Sequence, residues 1–213
     1  MNFRYIAPMF LIGALAISGC NDPKKASEAN FKTAAQQFLD SAYPTCYFEA
    51  KFPYKTDGFS INNTPDILHV LAQKGLLTEK ELSRKHYDAT WAMGAHDVVA
   101  NSYDLTDEGK KYYKVDASKN LIGKPVSGFC FGKATVSAVV NFTEPSDMMG
   151  QKISRVTYSY KVTDIPDWAK SPEITALSSK LANDVNSEKD PQKITNVFLL
   201  TNNGWIHEKL FGK

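Results

Sequence analysis

ATVSAVVNF at residues 134–142 and ISRVTYSYKV at residues 153–162 are the stretches on which the reading of this fold turns. In the second, Val156, Tyr158, Tyr160 and Val162 alternate with Thr157, Ser159 and Lys161, so one set of side chains faces a core and the other faces water. The first is a β-rich run, and residues 145–150, opened by Pro145 and closed by Gly150, supply a turn between the two. Further on, residues 194–201 and 205–211 flank Asn202-Asn203-Gly204, a sequence with strong hairpin-turn chemistry. Four or more antiparallel strands are the expectation.

Working outward, helical spacing dominates before Lys124-Pro125. Phe31, Ala34, Ala35, Phe38, Leu39 and Ala42 recur every three or four residues and predict an amphipathic helix over 31–42, stopped by Pro44. Thr64-Pro65 is a helix start, followed by Ile67, Leu68, Leu71 and Ala72 up to Gly75. Thr78-Glu79-Lys80-Glu81 has the pattern of a capping box and predicts a second short helix. Residues 86–93 and 97–104 read as a hairpin around Gly94, and another helix starts at Thr106 and runs to Tyr112 or Tyr113. After the strands, Ser171-Pro172-Glu173 opens a helix whose apolar stripe is Ile174, Leu177, Leu181 and Val185. The expected class is α+β: an antiparallel sheet of four or more strands with helices packed on one face, a helical N-terminal half and a β-rich C-terminal half.

The chain has 213 residues, 43% hydrophobic and 23% charged, with a formal net charge of +2. That composition excludes a collagen, a long coiled coil, a wholly disordered chain and a multi-span membrane protein. No run of five like charges provides an electrostatic footprint for nucleic acid, so no nucleic-acid partner is expected.

Residues 1–19 read MNFRYIAPMFLIGALAISG: Arg4, an apolar run from Ile6 to Ile17, then small residues. The run is shorter than the roughly 20 residues of a membrane-spanning helix and suits a signal peptide. The sequence Ala16-Ile17-Ser18-Gly19-Cys20 resembles the lipobox of bacterial lipoproteins. This resemblance covers only the first twenty-odd residues. It implies a diacylglyceryl thioether on Cys20, cleavage before it and acylation of the new amino terminus; Ile17 stands where Ala or Ser is frequent. Two or three acyl chains, at about 0.8 kcal/mol per buried methylene, anchor a protein essentially permanently. Asn21 occupies the place where Asp would imply inner-membrane retention, so the resemblance implies an outer-membrane lipoprotein facing the periplasm. The expected organisation is a signal peptide at 1–19, a lipidated tether at 20–30 and a single domain at 31–213, with a possible subdivision near 120–125.

With Cys20 alkylated, two thiols remain, Cys46 and Cys130, each among aromatic residues. An exported chain matures in an oxidising compartment, so a Cys46–Cys130 disulfide is expected, against the alternative of two separate buried thiols. The stretches at 66–77 and 103–113 also resemble segments of winged-helix regulators. That resemblance rests on core leucines and helix caps and implies local packing only, because no basic recognition helix lies between them.

Catalytic signatures are sparse. His69, His86, His96 and His207 form no HExxH motif, and no Gly-x-Ser-x-Gly, Ser-x-x-Lys or P-loop is present. No catalytic, cofactor-binding or metal-binding residue is assigned. One constellation stays open: His86, His96 and Asp97, brought together across the expected hairpin, as a metal or hydrolase site. The other signal is the aromatic stretch Tyr43, Tyr47, Phe48, Phe52, Tyr54 and Phe59, which either lines a groove for a protein, peptide or glycan or packs as a loop stapled by Cys46. The function expected is that of a non-enzymatic, lipid-anchored periplasmic binding or accessory protein. Its rivals are an inhibitor or immunity-type lipoprotein and an envelope hydrolase with a His/acid site.

Overall fold

The structure, a computed structural model, describes residues 22–57, 64–91, 93–119 and 124–212. The signal peptide, Cys20, Asn21, Phe59 and most of the possible subdivision near 120–125 lie outside the described residues. Helix α1 (Glu28–Ala42) opens the domain, three residues earlier than expected, because Ser27 caps it by accepting from the Asn30 amide. Strands β1 (Thr45–Tyr47) and β2 (Tyr54–Lys55) follow, then α2 (Thr64–Gln73), β3 (Leu77–Tyr87), β4 (His96–Leu105) and α3 (Asp107–Tyr112). Next come β5 (Tyr113–Lys119), β6 (Pro125–Phe131), β7 (Lys133–Phe142), β8 (Ser146–Met148) and β9 (Gln151–Thr163). The chain closes with α4 (Pro172–Thr175), α5 (Ser179–Asn186), β10 (Gln192–Thr201) and β11 (Gly204–His207).

Three antiparallel sheets result. The largest runs β11-β10-β9-β7, with β8 also paired to β9; the others are β1-β6-β5 and β2-β4-β3. In β9 the even-numbered Ser154, Val156, Tyr158 and Val162 are buried, as the period-two pattern requires. Helix α1 lies against β7 and β11: its Phe31 ring sits 4.8 Å from Trp205 and 4.9 Å from Phe142, and the Gln36 side chain bonds both the Ala134 carbonyl and the Val136 amide.

This architecture overturns the expected α+β chain with a helical N-terminal half. Strands hold 44% of the described residues and helices 28%, and strands β1 to β5 occupy much of the front half. Strands β1, β2 and β5 form where no strand is expected, and residues 78–81 reverse an expected helix. Instead of starting a helix they belong to β3, with Thr78 opposite Asp104 and Glu81 opposite Asn101. A capping box stabilises a helix only when an apolar stripe follows to bury, and after Leu77 the strand has Leu82 alone before Tyr87; pairing with β4 wins. The stripe over 171–185 is likewise two short helices: the first ends at Thr175 with Ala176 as its C-cap, and Ser178 caps the next by accepting from the Leu181 amide.

Candidate functional site

Cys46 and Cys130 stand directly opposite one another in the β1–β6 ladder and are joined by a disulfide. The aromatic stretch around Cys46 turns inward. Tyr47 is buried with its ring stacked 4.6 Å from Phe131, while Phe52 packs edge-on against Tyr113 and Phe129. Tyr43, Phe48 and Tyr54 lie half-buried against the same core. These rings pack against the interior, and Tyr54 also borders a shallow opening with Lys55, Thr56 and Asp57.

Their hydroxyls build a polar cluster that the sequence did not announce. Asp184, on α5, is only 1% exposed. Its carboxylate accepts from Tyr47 at 2.5 Å, Tyr43 at 3.1 Å and the Gln192 amide at 2.7 Å, and pairs with the half-exposed Lys180 at 3.1 Å. The Lys180 ammonium also sits over the Tyr47 ring, 4.5 Å from its centre. Burial first, and then the neighbouring Asp184 carboxylate, push both phenols well above their ordinary range, so they stay protonated donors. Ser187 continues the network, donating to the Asp184 carbonyl and accepting from the Val162 amide. A buried carboxylate so fully satisfied works as a clamp: it ties the β1 segment, α5 and the start of β10 together. The i,i+4 spacing of Lys180 and Asp184 is a signal that could have found the pair, and the burial of Asp184 has no such signal.

The hairpin constellation is partly assembled. β3 and β4 place His86 opposite Asp97, and the His86 Nδ1 lies 2.7 Å from the carboxylate. Arg84 holds the other Asp97 oxygen at 3.0 Å, and His86 together with Arg84 lowers the Asp97 pKa below the usual carboxylate range. His96 is turned away, stacked on Tyr87. Among the described residues, no group of three or more His, Cys, Asp and Glu side chains is placed to hold a metal ion. Both side chains of the pair are exposed to solvent, 61% for His86 and 37% for Asp97. Asp107 pairs with Lys110 and Asp167 with Lys170, so these acidic residues serve local ion pairs.

The ribbon itself is the most unusual surface. At its base, Tyr103 donates to Glu79 at 2.6 Å and is pushed up to about 12 by burial and by that carboxylate; His69 on α2 holds the other Glu79 oxygen at 2.8 Å. Beyond the point where β2 pairs with Ser102 and Tyr103, β3 and β4 continue with no third strand among the described residues. From Thr78 to His86 every β3 residue is exposed. At the tip, Thr90 and Met93 exchange bonds between the Thr90 amide and Met93 carbonyl and between the Met93 amide and Thr90 hydroxyl. This turn presents Trp91, wholly exposed, beside an exposed Met93.

A second feature lies where the expected tether begins. Residues 22–25 are folded onto the domain: the Trp205 indole donates to the carbonyls of Lys24 and Lys25, and Asn30 donates to those of Asp22 and Lys25. Pro23 reaches so close to Gly204 (φ +115°) that a Cβ there would lie 2.8 Å from the Pro23 carbonyl oxygen. Beside this contact is an open pocket of about 420 Å³ lined by Pro23, Thr33, Gln37, Asn203 and Trp205. No protein-family model, no curated protein and no solved structure matches the chain.

Proposed function

We propose that this chain is a lipid-anchored binding protein of the bacterial envelope, held by acyl chains on Cys20 at the outer membrane, facing the periplasm and engaging a protein partner through the β3–β4 ribbon. The observation that carries the binding reading is Trp91, fully exposed at the end of a ribbon whose β3 strand is exposed from Thr78 to His86. A ribbon of this kind contributes little to its own core, and an exposed Trp costs solubility, so neither feature serves stability. Tryptophan is among the residues that most often dominate binding energy at interfaces. Charges on the ribbon, including Lys80, Glu81, Arg84 and Asp97, guard its open edge against pairing with copies of itself.

Support for the envelope reading comes from the lipobox and is consistent with the Cys46–Cys130 disulfide, which belongs to an oxidising compartment. The experiment has two arms. Mass spectrometry of the mature protein should find an acylated Cys20 terminus, and Cys20→Ser should release the protein from membranes; an unacylated, freely soluble wild type overturns the anchoring. A photo-crosslinking amino acid at position 91 should capture a partner from envelopes that the same group at Lys189 does not. Equal or absent capture at both positions overturns the ribbon's role. A one-to-one, tightly held enzyme or toxin in the capture would select the inhibitor form of this reading.

A further inference from the structure

The docked segment at residues 22–25 defines one end of the five-stranded sheet, and cross-strand register places a second feature there. Gly204, which Pro23 touches, closes the Asn202-Asn203 turn opposite Thr201. One strand over, the Gln151 side-chain amide donates to the Leu200 carbonyl, so the start of β9 is level with that turn. β8 pairs with this start, Met148 opposite Gln151, which makes Met149-Gly150 the outermost point of the β8–β9 hairpin at the same end. Met148 is 57% exposed and Met149 is 100% exposed.

Methionine is a poor choice there on two separate grounds. Met149 and Gly150 both have positive φ, 51° and 79°. Two-residue hairpin turns with that backbone favour Asn, Asp or Gly. A fully solvated turn also favours a polar side chain, and neither the fold nor solubility accounts for an apolar one.

Resting on the lipid-anchored reading, we infer that the Met148–Met149 tip inserts into the interfacial layer of the bilayer that holds Cys20, and so fixes the orientation of the domain on the membrane. Two residues of chain span at most about 7 Å, and residues 22–25 are held against the domain by Trp205 and Asn30. The bilayer therefore lies against this end of the sheet. Methionine suits the task, being unbranched, flexible and polarizable. Because the acyl chains already hold the protein at the surface, insertion is an intramolecular second event, for which a weak apolar contact suffices. Lys24, Lys25 and Lys152 at this end are offset by Asp22, Glu28 and Asp147, so the contact is apolar rather than electrostatic.

The test uses the acylated, full mature protein in vesicles of phosphatidylethanolamine and phosphatidylglycerol. Met149→Cys places a single free thiol at the tip, and Lys189→Cys places one near the opposite end, where β10 begins opposite Tyr160. Each is labelled with an environment-sensitive fluorophore and challenged with nitroxide-bearing lipid. The label at 149 should shift to the blue and be quenched several-fold more than the label at 189. Equal, water-like emission from both labels on protein that still floats with the vesicles overturns the inference while leaving the anchor intact. Protein that carries no acyl chains, or a Cys20→Ser variant that floats as well as wild type, overturns the anchoring reading itself.

Discussion

Asp184 and His207 are the two buried polar residues whose surroundings determine what their removal does. Asp184→Ala strips the acceptor from the Tyr47 and Tyr43 hydroxyls and the Gln192 amide inside the domain. Leaving buried donors unpaired should cost about 3 kcal/mol in urea unfolding, whereas Lys180→Met, which removes the cation but leaves the Tyr43, Tyr47 and Gln192 donors on the carboxylate, should cost less, about 1 to 2 kcal/mol. His207 is fully buried, with its ring stacked 3.7 Å from Phe38, and its Nδ1 accepts from the Lys209 amide. Burial, and secondarily the Lys209 charge, lower its pKa from 6.5 to about 4. The unfolded chain therefore binds a proton that the folded protein refuses between those values. Stability is lost as pH falls from about 6.5 toward 4, by about 3 kcal/mol in total, and is unaffected by His207 above that window. Denaturation series across pH 7 to 4 should give a slope that His207→Phe removes; an unchanged slope in the variant would assign the acid sensitivity to other groups.

At the scale of elements, local propensity and tertiary contact can be set against each other at Gly109. In an isolated helix, Gly→Ala gains up to about 1 kcal/mol. Here α3 rests so closely on the turn before β3 that a Cβ at position 109 would overlap the Leu76 carbonyl. Gly109→Ala should therefore destabilise, by about 2 kcal/mol, and the sign alone decides in a thermal melt. The same competition explains which elements were readable. Apolar periodicity over 31–42 and alternation over 153–162 each match a face that is buried in the fold. The Thr78-Glu79-Lys80-Glu81 pattern failed because a four-residue cap carries less free energy than the ten cross-strand pairs that β3 makes with β4. His86 and Asp97 were legible as neighbours, since a hairpin around Gly94 puts them opposite one another. The Asp184 clamp was not, because its partners Tyr43 and Tyr47 lie 141 and 137 residues away.

For the molecule as a whole, the docked segment ahead of α1 is the point at which chain entry and fold meet. Trypsin should cut slowly after Lys24 and Lys25 in the native domain, because both carbonyls are held by the Trp205 indole. Gly204→Val, which drives a side chain into Pro23, should free the segment and speed that cleavage at least several-fold without unfolding the sheet; equal cleavage rates would mean that the docking is not maintained in solution. The sequence by itself determined the amphipathic first helix and the strand hairpins of the back half, because each depends on local order, and it made a Cys46–Cys130 bridge an expectation that the fold meets. Only the tertiary structure decided that the front half mixes strands β1 to β5 with its helices, that the aromatic loop packs inward on a buried carboxylate, and that Trp91 and Met149 project from the fold with no protein neighbour covering them. Those outcomes depend on contacts between residues distant along the chain, and a one-dimensional pattern does not record which distant surface each side chain will meet.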